Sequence, residues 1–255
     1  MDLGIRGKVA LVTGASSGIG EAVALELARE GVKLAVAARR REKLEDVARR
    51  ARSLGAAEAL ALLADQTDAE SLERLVREVE SRLGAVEILI VNGGGPKPGT
   101  WTQLAPADWD AAYALTFRSA LRLVDAVLPQ MRKRGWGRVV ALESVSVKEP
   151  IPALVLSNAF RTAVVAALKT LSGEVAADGV TVNCIATGLV ETDRFRALYD
   201  TVDKREKAAA KVPMRRPATP EEFAPLVAFL CGEGARYVTG QTISIDGGRT
   251  AALFG

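Results

Sequence analysis

Val9 to Gly20 reads VALVTGASSGIG, an apolar run that ends in a glycine-rich turn and then opens a helix-period segment. Strand, tight turn and helix in that order restrict the chain severely. Gly14 permits the turn, Gly18 lets the main chain approach a pyrophosphate, and Gly20 packs helix against strand. The freed amides of the turn and the dipole of the helix then face an anion. The opening is therefore expected to be the first unit of a dinucleotide-binding sheet.

The rest of the chain repeats the alternation. Short β-branched runs fall at Val9–Thr13, Leu34–Ala38, Ala59–Leu63, Ile88–Val91, Arg138–Leu142, Thr181–Ile185 and Thr242–Ile245. Between them lie helix-period segments at Ile19–Glu30, Glu42–Leu54, Ala69–Arg82, Pro106–Arg134, Ser157–Ala177 and Pro220–Leu230, with a break expected near Ala107. Strands alternating with longer helices predict an α/β fold, a doubly wound parallel sheet with helices on both faces. The 255 residues suit one domain, 1–255, with no linker or repeat to divide them. Two long loops leave strand ends where such sheets bind ligands: 93–104, and the charge-rich 189–216, which is expected to act as a substrate lid.

Composition removes several classes of function. There is no histidine, so Ser-His-Asp, Cys-His and His-metal chemistry are all excluded, and no metal site is expected. The 34 basic and 31 acidic residues leave a net charge of only +3, and the basic residues are interspersed with acids on helical faces, so no nucleic-acid partner is expected. The apolar runs are strand-sized, so no membrane association is expected either. The first strand begins without an apolar leader, and a cytoplasmic protein is expected. Cys184 and Cys231 sit within apolar patterns and read as buried thiols.

The spacing Gly14-Ala-Ser-Ser-Gly18-Ile-Gly20 resembles the short-chain dehydrogenase/reductase family, and the likeness covers almost the whole chain. Asp65 resembles the family's adenine contact, and Asn92 the first residue of its Asn-Asn-Ala-Gly turn, with Gly93 and Gly94 replacing the next two and Gly95 matching. Asn183 and Asp246-Gly247-Gly248 are further matches, whereas Thr187 replaces the usual proline before Gly188. Within the family the pattern is most similar to the 3-oxoacyl-[acyl-carrier-protein] reductases. The resemblance implies a Rossmann-type seven-stranded sheet of order 3-2-1-4-5-6-7 and a homotetramer or homodimer. It implies cofactor contacts from Ser16, Ser17 and Ile19 beside the three glycines, from Asp65, Gln66, Asn92, Gly93 and Gly94, and from Gly188 and Val190. An acid at the end of the second strand would repel a 2′-phosphate; Ala38 stands there, followed by Arg39 and Arg40. Guanidinium groups can grip that phosphate, so NADP(H) is expected ahead of NAD(H).

The departure from the family lies at the catalytic positions. The family uses a serine, a tyrosine proton donor, a lysine four residues beyond the tyrosine, and an asparagine that supports a water relay. Gapless spacing between Gly137 and Asn183 puts Ser144 at the serine, Ser157 at the tyrosine and Arg161 at the lysine, with Thr116 at the asparagine. A register shifted by one would substitute Leu156 and Phe160 instead. A serine hydroxyl is less acidic than a phenol and reaches less far. Arg161 can still hold ribose hydroxyls but stays protonated. A displaced proton donor could be Lys148, the first choice because its loop borders the site, or Tyr113 or Tyr199. Glu143 is expected to face away from the site, in a structural role.

Two readings of function follow. The first is an atypical NADP(H)-dependent oxidoreductase acting on a small carbonyl or hydroxyl substrate. The second is a catalytically silent nucleotide-binding sensor or assembly protein, set apart by an apolar plug of Leu156 or Phe160 in the site.

Overall fold

The computed structural model describes residues 2–253. Seven parallel strands form one sheet: β1 Val9–Thr13, β2 Lys33–Ala38, β3 Glu58–Leu63, β4 Ile88–Val91, β5 Gly137–Ser144, β6 Val180–Thr187 and β7 Thr242–Ile245. Their order is β3-β2-β1-β4-β5-β6-β7, as expected. The order reverses between β1 and β4, which lie side by side with Ala10 opposite Ile88. That reversal opens a crevice at the carboxyl ends of the strands.

Alternation along each strand feeds two cores. Ala10 and Val12 point to one face with Val140 and Leu142, while Val9 and Leu11 point to the other with Val139 and Ala141. Helices α1 (Gly18–Arg29), α2 (Arg41–Leu54) and α9 (Ala224–Cys231) cover the first face. The second is covered by α3 (Ala69–Arg82), α5 (Ser119–Arg134) and α6 (Val155–Val175). In α3 the buried positions Leu72, Leu75, Val76 and Val79 make one apolar stripe. Asp68 caps that helix by accepting the Glu70 amide. Cys184 and Cys231 are buried and unpaired. No helix among the described residues is long and apolar enough to cross a membrane.

Two helical boundaries differ from expectation. Pro106–Arg134 was expected to break near Ala107, but Pro106 occupies the first turn of α4 (Pro106–Ala112), where its missing N–H costs nothing. The interruption comes six residues further on, as a wide π-turn over Tyr113–Arg118 that leads into α5. Pro220–Leu230 divides into a short 3₁₀ turn, Pro220–Glu222, and α9. The segment 189–216 folds into two short helices, α7 (Asp193–Leu198) and α8 (Val202–Ala209), started by the Thr192 and Thr201 hydroxyls.

Candidate active site

A cleft of about 570 Å³ lies at the carboxyl ends of the central strands, and the glycine turn forms one wall. Gly14 has a left-handed backbone (φ +60°), and a Cβ there would sit 2.7 Å from the Asn92 carbonyl oxygen. A Cβ on Gly20 would come within 2.5 Å of both Asn92 Nδ2 and the Gly14 oxygen. The close approach is made by Asn92, whose side-chain amide donates to the carbonyls of Thr13 (3.3 Å) and Gly14 (3.2 Å). The Asn92 amide N–H donates to Thr13 Oγ1 at 3.0 Å, and Gln66 Nε2 donates to the Asn92 carbonyl at 2.6 Å. These bonds tie β1 to β4 at the switch point, so the turn is held before any ligand arrives. Ser16, Ser17, Gly18, Ile19, Asp65, Gly93, Gly94, Gly188 and Val190 stand on the same walls. Gly20 does not: it lies beneath the wall, where it lets α1 pack.

Beside the turn, Arg40 folds back onto the glycine loop. Its Nε and Nη2 donate to Ser16 Oγ at 3.1 and 2.9 Å, and Nη2 also reaches Ser17 Oγ at 2.6 Å. Ser17 begins α1 without capping it, which leaves the first amides of that helix open to an anion. Asp65 is held below the usual carboxylate range, chiefly because the Thr67 amide and hydroxyl donate to it and secondarily because Arg39 is near.

At the other end, Ser144, Ser157 and Arg161 line the cleft together. Ser157 and Arg161 are one helical turn apart on α6 and so share a face. Leu156 is buried in the protein, and Phe160 packs against Trp109 and Tyr113; neither is on the cleft wall. The space holds hydroxyls and a guanidinium rather than an apolar plug.

Glu143 is a correction to the sequence expectation. Its parity places it with Val139 and Ala141 on the face that α6 covers, so it lies under Arg161 and on the cleft wall. Arg161 Nη1 donates to Glu143 Oε2 at 2.9 Å and to the Leu142 carbonyl at 3.2 Å. Both side chains are nearly buried, 12% and 4% exposed. Burial pushes the Glu143 carboxyl up, while the Arg161 charge pulls the other way. Thr116 sits in the π-turn with its hydroxyl buried and unpartnered. It faces not the main cleft but a cavity of about 20 Å³ beneath it, shared with Asn92, Glu143 and Arg161. That is room for about one water among polar groups.

The displaced proton donors sort differently from expectation. Lys148 is not on the cleft wall, because the loop turns it aside where its amide closes onto the Val145 carbonyl. Tyr113 stacks with Phe117 and Phe160 outside the cleft. Tyr199, beside Phe195, is on the wall.

Residues 14–250 match the family model described as enoyl-(acyl carrier protein) reductase. A dehydrogenase/reductase SDR family member 4 from Oryctolagus cuniculus is 34% identical over 252 residues, covering 96% of this chain and 95% of that protein. The chain belongs to the short-chain dehydrogenase/reductase family. A 3-oxoacyl-[acyl-carrier-protein] reductase of Staphylococcus epidermidis is 33% identical over 242 residues, 94% of this chain and 98% of its own. The crystal structure of L-sorbose reductase from Gluconobacter frateurii, complexed with NADPH and L-sorbose, superposes with a TM-score of 0.94 at 33% identity, over 99% of this chain and 100% of that one.

The family's nicotinamide dinucleotide fits the cradle: positive-φ glycines at 14 and 18, and a Gly93 where a Cβ would meet Gln66 Oε1 at 2.3 Å, leave main chain rather than side chain facing the cleft. In this short-chain dehydrogenase/reductase the segment after β6 straps across the opening. Thr192 lies against Gly18, where a Cβ would touch its methyl at 3.0 Å. Asp193 stands 3.8 Å from Arg40 Nη1, and Arg194 Nη2 donates to the Pro96 carbonyl at 2.9 Å on the opposite wall. Sequence reasoning passed over Thr192, Arg194 and Phe195. Their only signal was a threonine-aspartate helix start a few residues beyond Gly188.

Proposed function

We propose that the protein is a cytoplasmic NADP(H)-dependent carbonyl reductase, similar to the 3-oxoacyl-[acyl-carrier-protein] reductases, with a rearranged acid group. The observation that carries the proposal is the convergence of Ser144, Ser157 and Arg161 on the cleft that also holds the glycine turn, with Leu156 and Phe160 turned away. Two unpaired thiols suit a reducing compartment. Ala38, Arg39 and Arg40 favour a cofactor with a 2′-phosphate, and Arg40 is already poised over Ser16 and Ser17. Residues 189–216 act as the substrate lid.

When bound, the cofactor supplies or accepts a hydride. The chain does the rest. Ser144 and Ser157 donate hydroxyl hydrogens to the substrate oxygen and orient its carbonyl. Arg161, anchored by Glu143 and the Leu142 carbonyl, keeps its remaining donors for the ribose hydroxyls. It stays charged, so the proton comes from elsewhere. Tyr199 is the phenol on the cleft wall and takes that role: its hydroxyl gives a proton to the alkoxide oxygen and recovers one from solvent. Thr116, through the small cavity below, stands in for the relay asparagine.

Tyr199→Phe is expected to lower kcat for NADPH-driven reduction of a ketone panel by about 10²-fold or more, with NADPH affinity retained. An unchanged kcat would remove Tyr199 from the mechanism. The chain is also proposed to be a homodimer or homotetramer. The exposed rings of Trp101 (71%) and Tyr113 (41%) support that reading, and sedimentation equilibrium reads it directly.

A further inference from the structure

The acids and bases on the cleft walls pair unequally. Three carboxylates stand there, and each is engaged: Asp65 by Thr67 with Arg39 nearby, Asp193 near Arg40, and Glu143 by Arg161. Five arginines share the walls: Arg40 and Arg161 pair with Asp193 and Glu143, while Arg39, Arg194 and Arg249 make no ion pair among the described residues, Arg39 standing near Asp65. Arg194 and Arg249 lie on segments that follow β6 and β7.

Arg194 is the better placed. Its guanidinium lies over the turn after β4, close enough to Gly95 that a Cβ there would meet Nη2 at 2.8 Å. Of its five N–H donors, one is committed, to the Pro96 carbonyl. A planar fork held at one corner presents its other edges to a ligand and matches a carboxylate bidentately.

We propose that the substrate of this site is an oxo acid, a small carbonyl compound whose carboxylate is gripped by Arg194, with Arg249 as the second cation at that end. The inference rests on the reductase reading above and adds the substrate class. The Arg194 side chain keeps exposed surface, yet its guanidinium is partly desolvated and lies within the field of Arg161. Both effects oppose its charge, and the opposite charge of a bound carboxylate would offset them. Arg161 is already engaged by Glu143 and the Leu142 carbonyl. Specificity would come from charge at the lid and hydroxyls at Ser144 and Ser157, with the carbonyl between them.

The test compares pyruvate, acetoacetate and levulinate with their methyl esters, by calorimetric titration into the NADP⁺-loaded protein and by NADPH turnover. At least one acid is expected to bind about 10- to 100-fold more tightly than its ester. Arg194→Met should erase that preference, Arg194→Lys should restore part of it, and NADP⁺ affinity should stay within about twofold in both. Unaltered melting of the two variants would show that the fold is intact. Absence of any acid preference in the parent protein, or its survival in Arg194→Met, overturns the proposal. A large loss of NADP⁺ affinity in Arg194→Met also overturns it, since the guanidinium would then serve the cofactor's phosphates. Failure of NADPH itself to bind the parent protein would bring down the reductase reading, and this inference with it.

Discussion

Arg161 and Glu143 form a pair whose halves depend on each other. A buried carboxylate is costly unless a cation and hydrogen bonds offset its desolvation. Arg161→Met would leave Glu143 facing a small polar cavity with no counter-charge. A loss of about 3–5 kcal/mol of stability is expected at pH 8. The sign of the pH dependence follows from the raised carboxyl. Its folded-state pKa lies above the ordinary 4.5, so the native state holds the proton more tightly than the unfolded chain. The contribution of a neutral Glu143 is therefore full below about pH 4.5 and is lost as pH climbs through the folded value. Urea melts of Arg161→Met should show a smaller deficit at pH 5 than at pH 8, and the double variant with Glu143→Gln should recover most of the deficit at pH 8. An equal deficit at both values would mean that packing rather than charge explains the pair. Sequence parity put Glu143 on the face opposite Ser144, correctly, but the face covered by α6 is the one that matters for Arg161. Which helix covers which face is a tertiary fact that alternation alone does not supply.

Among the elements, the glycine turn was the most legible, because each glycine there answers a local demand. Gly14 and Gly18 take positive φ, and Gly20 admits Asn92. Gly20→Ala would place a Cβ against Asn92 Nδ2 and the Gly14 carbonyl, both part of the lattice joining β1 to β4. A loss of about 1–3 kcal/mol is expected from such overpacking, read as a fall in Tm of about 2–4 °C per kcal/mol for a chain of this size. NADPH binding should weaken with it. Melting unchanged from the parent would mean that the turn relaxes freely. The π-turn over Tyr113–Arg118 was not legible, since nothing in YALTFR departs from ordinary helix-period sequence; the wide turn emerges where α4 meets α6. It brings the Thr116 hydroxyl over the cavity shared with Arg161. The two short helices of 189–216 were equally hidden, because six- and eight-residue helices carry too few turns for periodicity to register.

Across the whole molecule, strand–helix alternation accounts for the parallel sheet, the resemblance to the family supplied its strand order, and all the expected cofactor contacts but Gly20 stand on one wall system. The cleft is also rich in guanidinium groups: Arg40 and Arg161 are paired with Asp193 and Glu143, and Arg39, Arg194 and Arg249 make no ion pair among the described residues. The central claim is that this cleft takes NADPH and passes its hydride to a carbonyl carbon. The measurement that tests it most directly is transfer of deuterium from [4-²H]NADPH to oxo-acid and oxo-ester substrates, read by mass spectrometry after NADPH and NADH titrations on the same sample. The account predicts tighter binding of NADPH than NADH and deuterium on the carbinol carbon of the product. Tight NADPH binding with no label in any product would contradict it and favour a silent nucleotide-binding protein.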